Sequence, residues 1–205
     1  MAAAFEGDAL SQLALALMYE QRESFTNAHR WLRRAAEGGI AEAQFKLGYS
    51  LTVGLGAPTN LTEAAKWYRA AATQNHAEAQ YNLAVCLEKG LGVKADLQEA
   101  FAWHSKAALL GDDFAQKALG VCYEKGRGTT ADPAEAFKWY QVAANRGNPD
   151  AARLLKLLEP RLTKTQREDG QRRVTDFLAK APASATLPIA SKPEEPRKRA
   201  VDFLE

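Results

Sequence analysis

The chain has 205 residues, enough for one compact domain or a short repeat array. Alanine fills 40 positions, while valine and isoleucine together fill nine; alanine is the best helix former and β-branched residues favour strands, so this balance excludes a sheet protein and points to an all-α fold. Net charge is +2, but residues 1–159 carry 17 basic and 18 acidic side chains and residues 160–205 carry 10 and 7, so the body has no cationic surplus for gripping phosphates.

No apolar run approaches the ~18 residues of a membrane span. The stretch Leu13–Tyr19 follows Glu6 and Asp8, not basic residues, and makes a poor signal peptide. Two cysteines cannot build a disulfide framework, so a cytoplasmic setting is expected unless a leader preceded residue 1.

In chain order, Asp8 to Gln21 reads as a first helix, with Leu13, Leu17 and Tyr19. A second carries Ala28, Trp31 and Ala35-Ala36. The next runs over Glu42–Val53, with Ala43, Leu47 and Leu51 on one face. It stops at Gly54-Leu55-Gly56, since glycine just past a helix takes the left-handed cap conformation. Asn60 opens its partner, which places Ala64, Trp67 and Ala71 inward.

The unit then recurs. Trp31, Trp67, Trp103 and Trp139 are each 36 residues apart, and Leu47, Leu83, Leu119 and Leu155 follow them by sixteen. The stop glycines return as Gly90/Gly92 and Gly126/Gly128, and the opening caps as Asp96 and Asp132. Two such short helices cannot bury their stripes alone, so the repeats stack, with the Trp and Leu columns as repeat core. On that basis Trp67→Ala is expected to cost ~3–5 kcal/mol.

After the repeats, Asp150–Leu158 forms a last helix stopped by Pro160. Thr163-Lys164-Thr165-Gln166 reads as a capping box for a helix to about Lys180, laying Val174, Phe177 and Leu178 over the final repeat despite Gly170. Residues 181–196 hold four prolines and no helical period, and residues 197–205 are basic then apolar. The expected division is a solenoid over 1–159 of about four 36-residue helix pairs plus a final helix, a capping helix over 160–180, and a disordered linker and tail over 181–205.

These residues resemble the Sel-1-like repeat, a relative of the tetratricopeptide repeat with a longer inter-helix loop, and the C-terminal Leu162-Thr163-x-x-Gln166 segment resembles bacterial members of that family, which implies a bacterial source. The resemblance is carried by Ala43, Leu47, Gly48, Gly54, Gly56, Ala64, Trp67 and Ala71-Ala72, and again by Ala115, Leu119, Gly120, Tyr123, Gly126, Gly128, Asp132, Ala136, Trp139 and Ala143-Ala144. Ala16 and Ala84 depart from it at the glycine column, and Leu51 and Leu87 at the tyrosine column. It implies a right-handed α/α solenoid of tetratricopeptide-like helix pairs that acts as a scaffold or adaptor, with no reaction attached.

In tetratricopeptide relatives the first helix of each pair lines a concave surface. Carried over by register from the Leu column, that surface comprises Phe45, Tyr49, Tyr81, Val85, Glu88, Lys89, Phe114, Lys117, Val121 and Lys125. Glu42, Thr52, Val53, Glu78 and Glu124 stand at its other register positions. Aromatic anchors mixed with Lys and Glu suit a protein or peptide segment. The competing expectation is that Phe45, Tyr81 and Phe114 pack between repeats.

No Gly-x-Ser-x-Gly, Ser-x-x-Lys, His-Glu-x-x-His or phosphate loop occurs. His29, His76 and His104 fall in three different columns, so no metal is expected, and Cys86 and Cys122 read as buried thiols. The expected function is a non-catalytic, cofactor-free, monomeric adaptor for a protein or peptide, with no nucleic acid and no membrane span. Two alternatives remain: an autoinhibited module with Phe203 and Leu204 in the groove, and a hydrolase like the β-lactam-binding relatives.

Overall fold

The computed structural model describes residues 7–182 and Ala185. Ten α-helices and no strand are present among them, in two compact units spanning residues 7–95 and 96–185. The tail from 186 onward, with its basic run, Phe203 and Leu204, lies outside the described residues.

The first unit holds α1 (Ala9–Gln21), α2 (Phe25–Glu37), α3 (Ala41–Val53), α4 (Leu61–Ala72) and α5 (Ala77–Lys89). The second holds α6 (Leu97–Leu109), α7 (Asp113–Lys125), α8 (Pro133–Asn145), α9 (Pro149–Leu158), a 3-10 turn at Glu159–Arg161, and α10 (Lys164–Lys180). Within each unit, consecutive helices among α1 to α5 and α6 to α9 pack on one another, as stacked helix pairs require.

Local chemistry sets the ends. Asn60, Asp96 and Asp132 accept backbone N–H groups at the starts of α4, α6 and α8, and Asp8 does so for α1. Gly54, Gly90 and Gly126 close α3, α5 and α7 in the left-handed conformation, each donating to the carbonyl four residues back. The Thr163–Gln166 capping box is formed in both directions.

The alanine excess has a place in this packing. Ala43, Ala79, Ala115 and Ala151, and likewise Ala35, Ala71, Ala107 and Ala143, have no exposed surface. The repeat leucines Leu47, Leu83 and Leu119 are buried, and so are Leu32, Tyr68, His104 and Tyr140, one residue beyond each tryptophan; Trp103 and Trp139 are buried as well, whereas Trp31 and Trp67 stay half-buried. Tyr68 lies across Gly48 and Tyr140 across Gly120, so close that a Cβ on either glycine would sit 2.7 Å and 2.5 Å from the ring. The indole N–H groups of Trp67, Trp103 and Trp139 donate to glutamates four residues earlier.

Unit two ends in an apolar cluster of Phe137, Tyr140, Leu155, Leu158, Leu162 and Val174. α10 covers it, with the Phe177 ring edge-on to Trp139 at 5.1 Å and Leu178 left exposed. Gly170, unfavourable for a helix by propensity, lies against Phe137, where a Cβ would come within 2.7 Å of the ring.

An ion-pair cluster pins α10 to α8: the Arg173 guanidinium donates to Asp132 at 2.7 Å and Glu135 at 3.0 Å, and pairs with Asp169 at 2.7 Å. Burial works to raise the Asp132 carboxyl, but the Arg173 hydrogen bond and the α8 N-terminal amides outweigh it and hold it below its ordinary value. A carboxyl depressed in the fold contributes stability above its unfolded pKa, and that contribution is lost as pH falls through the lower folded value. Arg173→Ala is therefore expected to cost about 1–2 kcal/mol at pH 7, allowing for solvent screening of a partly exposed pair. The difference from wild type should shrink below about pH 4. Urea titrations at pH 7 and pH 3 check both parts; an equal cost at the two values contradicts the assignment.

Candidate binding surface

The register-derived residues divide into three groups. Tyr81 and Val85 on α5 are buried, each 7% exposed. Phe45, Tyr49, Glu88, Phe114, Lys117 and Val121 are half-buried. Lys89 and Lys125, at the ends of α5 and α7, are exposed.

In unit one, Phe45 stacks on the His76 ring at 4.6 Å and lies 6.3 Å from Tyr68. His76 is also the N-cap of α5: its Nδ1 accepts the Ala79 N–H at 3.3 Å, so Nε2 carries the proton toward Glu42 at 3.0 Å. That bond holds the Glu42 carboxyl below its ordinary range. Phe45 and Glu42 therefore help to join α3 to the start of α5. Tyr49 remains on the open side, its hydroxyl pKa raised by burial and by the Glu20 carboxylate. Lys46, beside it on α3, pairs with Glu20 at 3.1 Å.

In unit two, the Lys117 ammonium lies 5.7 Å from the Phe114 ring centre and 3.5 Å from Asp150, bridging α7 and α9. Val121 packs on the apolar cluster from its rim. Two other positions of that register have internal duties: the Thr52 hydroxyl meets Tyr68 Oη at 3.0 Å, and Glu124 accepts from Tyr140 Oη at 2.9 Å and from Arg161 at 2.6 Å.

Beneath this surface runs a glutamine column that periodicity alone did not single out. Gln44, Gln80 and Gln116, each three residues before the repeat leucine, are buried and donate from Nε2 to Ala36, Ala72 and Ala108 carbonyls at 3.0–3.2 Å. Each adds a second donor to a carbonyl at the C-terminal end of the preceding helix, which also accepts the N–H three residues on, from Gly39, Asn75 and Gly111. A second missed column, His76, Asp112 and Asn148, caps α5, α7 and α9. Both columns keep the 36-residue spacing and were visible as such, but a polar residue repeating in register does not announce burial.

One contact has the outline of a catalytic pair. His29 Nδ1 lies 2.7 Å from Ser50 Oγ. Ser50 is buried, and its single hydroxyl proton goes to the Leu55 carbonyl at 2.5 Å. His29 must then donate to the serine instead of taking its proton, the reverse of what an activated nucleophile needs. Cys86 and Cys122 are both buried thiols outside any disulfide, and burial pushes the Cys86 thiol up to about 12, far from thiolate reactivity at neutral pH. Among the described residues, no three of His, Cys, Asp and Glu are placed to hold a metal ion, and no helix is long and apolar enough to cross a membrane.

Comparison with known proteins identifies the repeat. The family model of the Sel1 repeat matches four times in succession, over residues 8–40, 41–76, 77–112 and 113–148. The crystal structure of a Sel1 repeat protein from Oxalobacter formigenes is similar with a TM-score of 0.71 and 27% identity, covering 96% of this chain and 84% of that one. The protein c5321, a protective antigen of uropathogenic Escherichia coli strains with an SLR fold, is similar with a TM-score of 0.60 and 26% identity. That alignment covers 95% of this chain but 52% of c5321. No curated protein matches.

Proposed function

Because the chain belongs to the Sel1 repeat family, whose helical solenoids generally serve as protein-interaction scaffolds and are typically non-catalytic, we propose that it is an adaptor that binds a protein or peptide segment on the faces of α3, α5 and α7. The observation that carries this is the asymmetry of those helices. All three bury their alanine–leucine stripe, and α3 and α7 keep half-buried aromatic and aliphatic groups beside charged ones on the adjoining face: Tyr49 with Lys46, and Phe114 and Val121 with Lys117; α5 buries Tyr81 and Val85 and offers Glu88 and Lys89. Contact area bordered by charge is what peptide recognition uses.

Lys89 and Lys125 stand at equivalent exposed positions on α5 and α7 and serve as electrostatic guides for an acidic partner segment. Lys89→Glu combined with Lys125→Glu is expected to weaken retention of a partner about tenfold or more while the thermal midpoint moves by less than ~3 °C. The measurement is affinity capture with wild-type and double-variant baits, quantified by mass spectrometry, beside a circular-dichroism melt of each bait. Equal recovery of every partner by both baits would assign binding to a different face.

A further inference from the structure

The register that defines the candidate surface continues onto α9. The positions two before, two after and six after the repeat leucine are Lys117, Val121 and Lys125 on α7. On α9 and the turn that follows it they are Arg153, Leu157 and Arg161. Both stripes read cation, aliphatic, cation at four-residue spacing, which keeps each on one side of its helix. On α3 and α5 the first of these positions is aromatic, Phe45 and Tyr81, so the doubled pattern belongs to unit two.

Two ion pairs set the stripes side by side: Lys117 with Asp150 at 3.5 Å at one end, and Arg161 with Glu124 at 2.6 Å at the other. Between these bridges Val121 and Leu154 pack on the apolar cluster from its rim. Leu157, about one turn beyond Leu154, is 59% exposed, more than any other large hydrophobic side chain described in unit two. At the first end Lys117 and Arg153 share the Asp150 carboxylate, Arg153 at 3.7 Å, longer than a hydrogen bond. At the second, Glu124 serves both Arg161 and the Tyr140 hydroxyl, and the exposed Lys125 is the next residue. Each end thus holds two cations to one carboxylate, and the Arg153 and Arg161 side chains are 71% and 64% exposed.

Scattered exposed leucines are ordinary on protein surfaces, but this one stands midway between paired cations. Arg153 and Arg161 are eight residues apart, ~12 Å along a helix. In an extended chain, residues i and i+4 lie ~13 Å apart and point the same way, with i+2 between them on the same side. Acidic side chains at i and i+4 with an apolar one at i+2 therefore match the face in charge, order and length.

We infer that the α7–α9 face binds an extended acidic segment of a partner protein, with an aliphatic or aromatic residue two places from an acidic one on each side. This names the partner chemistry of the surface proposed above and rests on that reading. One carboxylate meets Lys117 and Arg153, the other Lys125 and Arg161, and the apolar side chain seats against Val121 and Leu157. A basic segment is repelled at both ends.

Panning a phage-displayed library of random dodecapeptides on the full chain is expected to enrich that pattern. Anisotropy titration of the most enriched peptide, labelled with fluorescein, should show at least ~tenfold weaker binding to Leu157→Ser and to Arg153→Glu than to wild type. Leu109→Ser, a control at an exposed leucine on α6, should bind as wild type does. All three positions are exposed, so the thermal midpoints should stay within ~3 °C of wild type. Absence of enrichment, enrichment of other patterns only, or affinity that survives both α9 substitutions overturns the inference. Both substitutions leave Lys89 and Lys125 in place, so the two readings fail separately. Partners lost by the lysine variant but kept by Leu157→Ser and Arg153→Glu would overturn this segment and leave the adaptor reading standing.

Discussion

Gly92→Ala is expected to lower stability by about 2–5 kcal/mol, far more than the addition of one methyl suggests. Gly92 has a φ of +69°, and a Cβ there would lie 2.2 Å from the Leu61 carbonyl oxygen, 2.3 Å from its carbon and 2.5 Å from the Thr62 nitrogen. Those atoms are the first turn of α4, which cannot rotate aside as a side chain would. The left-handed conformation costs ~1–2 kcal/mol for an alanine, and forcing packed backbone apart adds ~1–3 kcal/mol. Gly39 supplies the control: its φ is +88°, but nothing lies within 4 Å of its would-be Cβ. Gly39→Ala should therefore cost only the conformational part, about 1–2 kcal/mol. Urea unfolding midpoints of the two variants separate the effects; equal losses would mean that close approach to α4 contributes nothing.

Tyr68→Ala is expected to cost about 3–5 kcal/mol, the range for deleting a large buried ring. Tyr68 has no exposed surface, lies across Gly48 and bonds through its hydroxyl to Thr52. Tyr68→Phe removes only the hydroxyl contact and should cost about 1 kcal/mol, since the Thr52 hydroxyl keeps its bond to the Gly48 carbonyl at 2.9 Å. The half-buried Trp67 next to it should lose only about 1–3 kcal/mol on truncation to alanine, below the figure that the tryptophan spacing suggests. Thermal or chemical denaturation of the three variants gives the order directly. Trp67→Ala proving costlier than Tyr68→Ala would reverse the assignment of the deepest position.

Tryptophan spacing marks a repeat without marking depth, and these two rings show why. Both recur, or are replaced in register, every 36 residues, so a sequence ranks them by size alone. Depth follows from the direction of the side chain: Tyr68 and Tyr140, each one residue after a tryptophan, lie across a glycine of the facing helix, and Gly48 and Gly120 make room for their rings. That pairing is legible in the sequence once the facing columns are known, and not before.

The candidate surface was legible to a similar degree. Register placed Tyr49, Phe114, Lys117 and Val121 on an open or half-open face. It placed Phe45 and Glu42 there as well; His76 draws the half-buried Phe45 into the junction between helices by ring stacking and bonds to Glu42, which stays exposed. Thr52 and Glu124 are similarly taken up by tyrosine hydroxyls. A polar or aromatic side chain at the edge of a helix stripe has two possible neighbours, solvent or the next repeat, and linear spacing does not distinguish them.

By itself the sequence determined the class, the repeat length and the helix boundaries. These depend on local causes: alanine propensity, glycine in the left-handed region, Asn and Asp at N-caps, and one period strong enough to outweigh any single residue. Tertiary structure alone decided which rings are deepest, which glycines stand against backbone, why a glycine stands at 170 inside α10, and that Gln116 holds Ala185. Those outcomes depend on atoms brought together from tens of residues apart, where a few tenths of an ångström separate a contact from a clash.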